Sequence, residues 1–219
     1  TALRFFLRGQ PREGHDPADP PPNLFANRRF FGFLVIIFIS MFVMYLPQPL
    51  TPRFLQNERG MSLAAVGLIG SLGNLGNVVM NLSLGQLPAR VGFLLGQACT
   101  ALFAGLVWLG TGQPWYAAGY FLLGGYRAAR PLYFAQVRTL IHRAQMGLAY
   151  GLAETANSLT VILAAPVAGA LYTRDPALVY PVSIGLIALA LVITAVFAPR
   201  AAVGLPPDTP SRSAPCSKS

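Results

Sequence analysis

Residues 120–136 read YFLLGGYRAARPLYFAQ, and whether this stretch forms a surface helix or a membrane-buried one decides the fold. It is apolar or aromatic almost throughout, yet Arg127 and Arg130 stand one turn apart in its second half. Composition favours the buried reading: 54% of the 219 residues are hydrophobic, only 11% are charged, and the mean hydropathy is +0.53. That balance is too apolar for an ordinary soluble domain and predicts an all-α membrane protein. The net charge of +9 does not point to nucleic acid. The basic residues sit at the ends of apolar segments and form no stripe on a polar domain.

Outward from this stretch, six segments are long enough for a bilayer, which takes about 20 residues at 1.5 Å each. They are residues 30–46, 63–84, 93–109, 115–137, 148–172 and 178–197. The first is short before Pro47 and is expected to continue, kinked, towards Phe54, because proline removes one helical hydrogen bond without always ending the helix. Residues 1–29, which include DPADPPPN, predict an extended linker without a core of its own. Residues 199–219 predict a disordered tail. TALRFF at residues 1–6 reads as the end of an earlier helix, and the charged, apolar and small-residue order of a signal peptide is not found there.

Charge sets the orientation. Arg4, Arg8, Arg12, Arg28, Arg29, Arg90, Arg138, Arg143, Arg200, Arg212 and Lys218 fall on one side of the six segments, and Arg53, Arg59 and Arg174 on the other. The positive-inside rule then places both termini in the cytoplasm. Trp108, Trp115, Tyr116, Tyr172 and Tyr180 all fall at the opposite, outer ends, as an aromatic belt requires.

Two segments carry polar faces. In the second, Ser71, Asn74, Asn77 and Asn81 share one face beside a stripe of Gly67, Gly70, Gly73 and Gly76. The asparagines suit either a polar cavity or hydrogen bonds to neighbouring helices, and the glycines suit a close helix approach. In the fifth, Glu154, Asn157 and Ser158 share a face beside Gly147, Gly151 and Thr155. Counting from Trp115 puts Arg127 about 18 Å into a core about 30 Å thick. Arg130 and Glu154 each lie about 10 Å from the same membrane face, on consecutive antiparallel helices. An unpaired arginine at such depth costs about 2.5–3.5 kcal/mol, so the spacing predicts an Arg130–Glu154 ion pair with Arg127 facing a cavity. The alternative is a helix that ends at Pro131, with Arg130 snorkelling to the head groups. His15, His142, Cys99 and Cys216 are isolated; no metal site, cofactor or disulfide is expected.

With these segments in place, GQLPARVG at residues 85–92 and GLAYGLAETANSLTVILAAPVAGALY at residues 147–172 resemble the C-terminal half of a major facilitator superfamily transporter. The likeness covers about residues 1–198. It implies that the six segments are helices 7 to 12 of such a protein, arranged as two inverted three-helix repeats, with residues 9–27 in its central loop. The family's loop motif, Gly-x-x-x-Asp-Arg-x-Gly followed by a base, is matched by Gly85, Arg90 and Gly92. It departs at Ala89 and Phe93, which weakens any reading of the loop as a charged gate. The first, second, fourth and fifth segments would line a cavity, and the third and sixth, nearly free of polar residues, would face lipid.

The resemblance implies transport of a small solute by alternating access. The cavity candidates are Asn74, Asn77, Asn81, Arg127, Glu154 and Asn157, with Tyr45 and Tyr120 as stacking walls. Arg127 suits an anionic group, which makes an organic anion or drug-like compound the expected solute. Glu154 either carries a coupling proton or is held ionised as the partner of Arg130. The partners implied are the bilayer of a plasma or inner cell membrane, a small-molecule solute, and an N-terminal six-helix half or another chain. The alternative is a non-transporting six-span protein, an assembly subunit or an inactive remnant. An enzyme is not expected, because nucleophile-elbow and zinc-protease motifs are not found.

Overall fold

The computed structural model describes residues 28–138, 141 and 145–197, and the linker and tail expected at the two ends lie outside them except for Arg28 and Arg29. The chain runs through α1 (Arg28–Tyr45), α2 (Thr51–Asn57), α3 (Leu63–Leu84), α4 (Ala89–Leu109), α5 (Gln113–Arg138), α6 (Met146–Arg174) and α7 (Val179–Phe197). Four of these, α3, α4, α6 and α7, are long and apolar enough to cross a membrane. The other two long helices differ for identifiable reasons. The apolar run of α1 is only Phe30–Tyr45, and α5, at 26 residues, carries Arg127, Arg130 and Pro131 within its length.

Local chemistry sets the breaks. Pro47 and Pro49 have no amide hydrogen, so α1 stops and the chain passes through a turn closed by Gln48 N–H to Tyr45 O at 2.9 Å. It re-forms as α2 with Pro52 in the first turn, where a missing N–H is harmless. Ser62 caps α3 by accepting from the Ala65 N–H at 3.2 Å. Gly112, at φ 110°, makes the tight α4–α5 connection that a side chain would strain. Pro131 does not end α5, which runs on to Arg138, so the alternative of an early stop there does not hold.

The centre of the bundle is α5, held from two sides by glycine. A Cβ on Gly124 would lie 2.3 Å from the Gly76 backbone of α3, and one on Gly125 would lie 2.7 Å from Cys99 Cβ of α4. Backbone contact this close excludes any side chain, so these crossings set both the height and the rotation of α5. Around it α1 packs on α6 and α7, and α4 packs on α7. One apolar core gathers Phe30, Phe33, Ile37, Phe93, Tyr133 and Val137; a second gathers Phe54, Leu55, Phe103, Tyr116, Tyr120 and Tyr180.

Polar contacts finish both ends and the interior. At one end Arg59 lies over the Phe54 ring and donates to the Trp108 carbonyl, and the Tyr180 hydroxyl donates to Thr51 Oγ1 at 3.3 Å. At the other, Arg90 donates to the Ala195 carbonyl near the end of α7, and Gln136 Nε2 donates to the Ala89 carbonyl at 3.3 Å. Inside, Gln97 Nε2 donates to Thr194 Oγ1 at 2.9 Å and Ser40 Oγ at 3.2 Å, joining α4 to α7 and α1. This buried cluster corrects the picture of the third and sixth segments as nearly free of polar groups: Gln97, Thr100, Ser183 and Thr194 are there, all buried.

Candidate functional site

The glycine crossings hold α5 so that its residues 126, 127 and 130 open onto the gap between α3 and α6. A cleft of about 390 Å³ results, lined by Met41 from α1, Asn77 and Asn81 from α3, Tyr126, Arg127 and Arg130 from α5, and Asn157 from α6. Pockets for small molecules run from about 300 to 1,000 Å³, so this one suits a compact solute.

Its two arginines differ in their partners. Arg130 meets Glu154 in a two-pronged ion pair, Nη2 to Oε1 at 2.7 Å and Nε to Oε2 at 3.2 Å, the fork geometry that suits a carboxylate. The side chains are 57% and 37% exposed, so the pair lies on the open face and does not close the core. Arg127 donates to the Asn74 side-chain oxygen, a neutral partner. Asn81 in turn donates to Asn77 Oδ1 at 2.7 Å and to the Asn77 carbonyl at 2.8 Å. The polar stripe of α3 therefore makes two separate contacts, Asn74 holding Arg127 and Asn81 holding Asn77.

Most of the residues singled out in the sequence meet here. Asn77, Asn81, Arg127 and Asn157 line the cleft, Asn74 reaches it through Arg127, and Glu154 through Arg130. Tyr45 reaches it through Tyr126, the two rings 6.1 Å apart and tilted by 44°. Tyr120 does not. It is buried, edge-on to Phe103 at 5.6 Å and under Gly73 of α3. Seven residues separate it from Arg127, which puts both on nearly one stripe of α5; α3 crosses that stripe and covers only the earlier half.

Two lining residues were not picked out from the sequence, Tyr126 and Met41. The signal was present in the spacing: Tyr126 precedes Arg130, and Met41 precedes Tyr45, by four residues each.

The loop-motif residues serve packing. Gly85 closes α3 with its N–H on the Asn81 carbonyl at 3.0 Å, and Gly92 sits where a Cβ would come 2.9 Å from the Leu84 carbonyl. Arg90 is turned into the bundle by its bond to Ala195.

Apolar helices of spanning length around a charged cleft define a multi-pass membrane protein. The sequence profile of the Major Facilitator Superfamily matches residues 33–218, and the chain belongs to that superfamily of membrane transporters. No curated protein matches the sequence.

Proposed function

We propose that the chain is the C-terminal half of a secondary active transporter that moves a small organic anion by alternating access, with the α1–α3–α5–α6 cleft as its half of the solute site. The observation that carries this reading is Arg127: a guanidinium at membrane depth, open to the cleft, whose bonded partner is the neutral Asn74. A charge in that position is offset by water in the cleft, by a partner or by a visiting anion, and a transport cavity supplies the first and the last.

The pairing of helices supports the half-transporter arrangement. Exchanging α1 with α5, α3 with α6 and α4 with α7 turns the α3–α5 contact into α6–α1, α4–α5 into α7–α1, and α3–α4 into α6–α7, all of which occur. Two three-helix repeats related by a two-fold axis give that pattern. On this reading α1 and α5 also span, which makes six spans in all. The α2 end faces outward with both termini in the cytoplasm of a plasma or inner cell membrane. A second six-helix half, or a partner chain, covers the polar faces of α3 and α6.

The test is uptake of labelled small anions by the protein reconstituted in liposomes, with Arg127→Gln as the comparison. Uptake that Arg127→Gln reduces at least tenfold supports the reading. A folded protein without uptake of any solute favours the non-transporting alternative. That alternative has one observation in its favour: Arg90, the motif's charge in the first turn of α4, is engaged with α7.

A further inference from the structure

We infer that Glu154 sets the charge of the solute: the cleft selects a monoanion with a flat apolar body, because Glu154 neutralises one of its two arginines. This rests on reading the cleft as a solute site. Two guanidiniums, Arg127 and Arg130, open onto it, and one carboxylate, Glu154, is bonded to Arg130 from 2.7 Å. Among the described residues the remaining acids, Glu58 and Asp175, follow the ends of α2 and α6. This chain's half of the site therefore carries one surplus positive charge, located on Arg127. A monoanion neutralises that surplus, whereas a dianion brings a second negative charge that this half does not compensate.

The rest of the lining defines the body of the solute. Tyr126 lines the cleft together with Met41, and the Tyr45 ring lies 6.1 Å from that of Tyr126, tilted by 44°. Aromatic faces and a polarisable sulfur take up flat apolar groups. Asn77 of α3 and Asn157 of α6 line the same cleft as neutral hydrogen-bonding groups that fix orientation.

Benzoate, phthalate and benzamide serve as monoanionic, dianionic and neutral probes of one shape class, read by the shift each causes in thermal unfolding of the reconstituted protein. The wild-type protein is expected to be stabilised by benzoate more than by the other two. In Glu154→Gln, Arg130 is released and the surplus becomes two charges, so the ratio of phthalate to benzoate affinity should rise about tenfold or more. Arg130→Gln combined with Glu154→Gln restores a single surplus charge and should restore the wild-type order. Asn74→Asp keeps Glu154 intact and sets a carboxylate beside Arg127, so benzoate should lose its advantage over benzamide even if Glu154→Gln fails to fold. An unchanged phthalate-to-benzoate ratio in a folded Glu154→Gln protein overturns the charge count, as does equal stabilisation of the wild type by benzoate and benzamide. Absence of a shift with all three probes, in a protein that still transports solute, overturns the inference and leaves transport intact. Loss of all uptake overturns the transport reading with it.

Discussion

The two halves of α3 carry the same glycine spacing and meet opposite surroundings. Gly73 and Gly76 press against α5, where a Cβ on Gly76 would come 2.1 Å from the Phe121 carbonyl, while Gly67 and Gly70 meet nothing within 4 Å. The same holds between helices: Gly124 and Gly125 of α5 are locked at backbone contact, whereas Gly147 and Gly151 of α6 are open. A small-residue stripe states that a close approach is possible. Steps of three residues drift by about 60° each, so Gly67 and Gly76 lie on opposite faces of α3 and only the face turned towards α5 is approached.

The comparison breaks first at the crossing. Gly124→Leu or Gly76→Leu should prevent assembly of the α3–α5–α4 layer, a loss beyond the roughly 1–3 kcal/mol of ordinary overpacking, because backbone cannot yield as a side chain does. Gly67→Leu in the same stripe should leave the unfolding temperature of this chain nearly unchanged. Equal destabilisation at the two positions, measured by thermal unfolding in detergent, would mean that both faces of α3 are closely packed.

A second contrast lies within the cleft, between the paired and the unpaired arginine. Arg127→Gln should reduce solute binding about 10- to 100-fold, the range of a charged hydrogen bond worth roughly 1.5–3 kcal/mol, and leave the fold intact. Arg130→Glu places two carboxylates face to face, so it should lower folded yield and transport together; adding Glu154→Arg should recover much of both. If the swap recovers nothing while each single variant folds, the pair has a directional role that charge balance does not describe.

The smallest effects are expected in the buried polar cluster. Gln97→Leu removes two interhelical hydrogen bonds but also removes Gln97 Oε1, which has no hydrogen-bond partner. Bonds of this kind average about 0.6 kcal/mol each in membrane bundles, so the net change should stay within about 1 kcal/mol. The Ser40–Thr194 contact at 3.3 Å can persist without the glutamine. A much larger loss on urea or thermal unfolding would show that the cluster fastens α4 to α1 and α7 rather than merely satisfying their polar groups.

Legibility followed the range of each interaction. The helices and the Arg130–Glu154 pair were readable, because span length is set by bilayer thickness and the depth of a residue follows from counting along a helix. Tyr120 misled because its stripe on α5 is right and its exposure is wrong; burial there comes from α3, about 50 residues away in the chain. Gln97 was passed over because it and Thr100, one turn on, make too short a polar pattern to stand out in an apolar segment. Its partners, Ser40 and Thr194, are 57 and 97 residues away. Arg90 read as part of a loop motif, and its bond to a carbonyl 105 residues away was not visible in that motif.

By itself the sequence determined that this chain is a set of membrane-length helices with charge at matched depths, since hydrophobic run length and helical rise are properties of one segment at a time. Only the tertiary structure decided which glycines become crossings, which tyrosine faces the cleft, and which arginine is left with a neutral partner. Those depend on where two helices meet and at what rotation, and that is set by backbone contacts between segments that no single stretch of sequence contains.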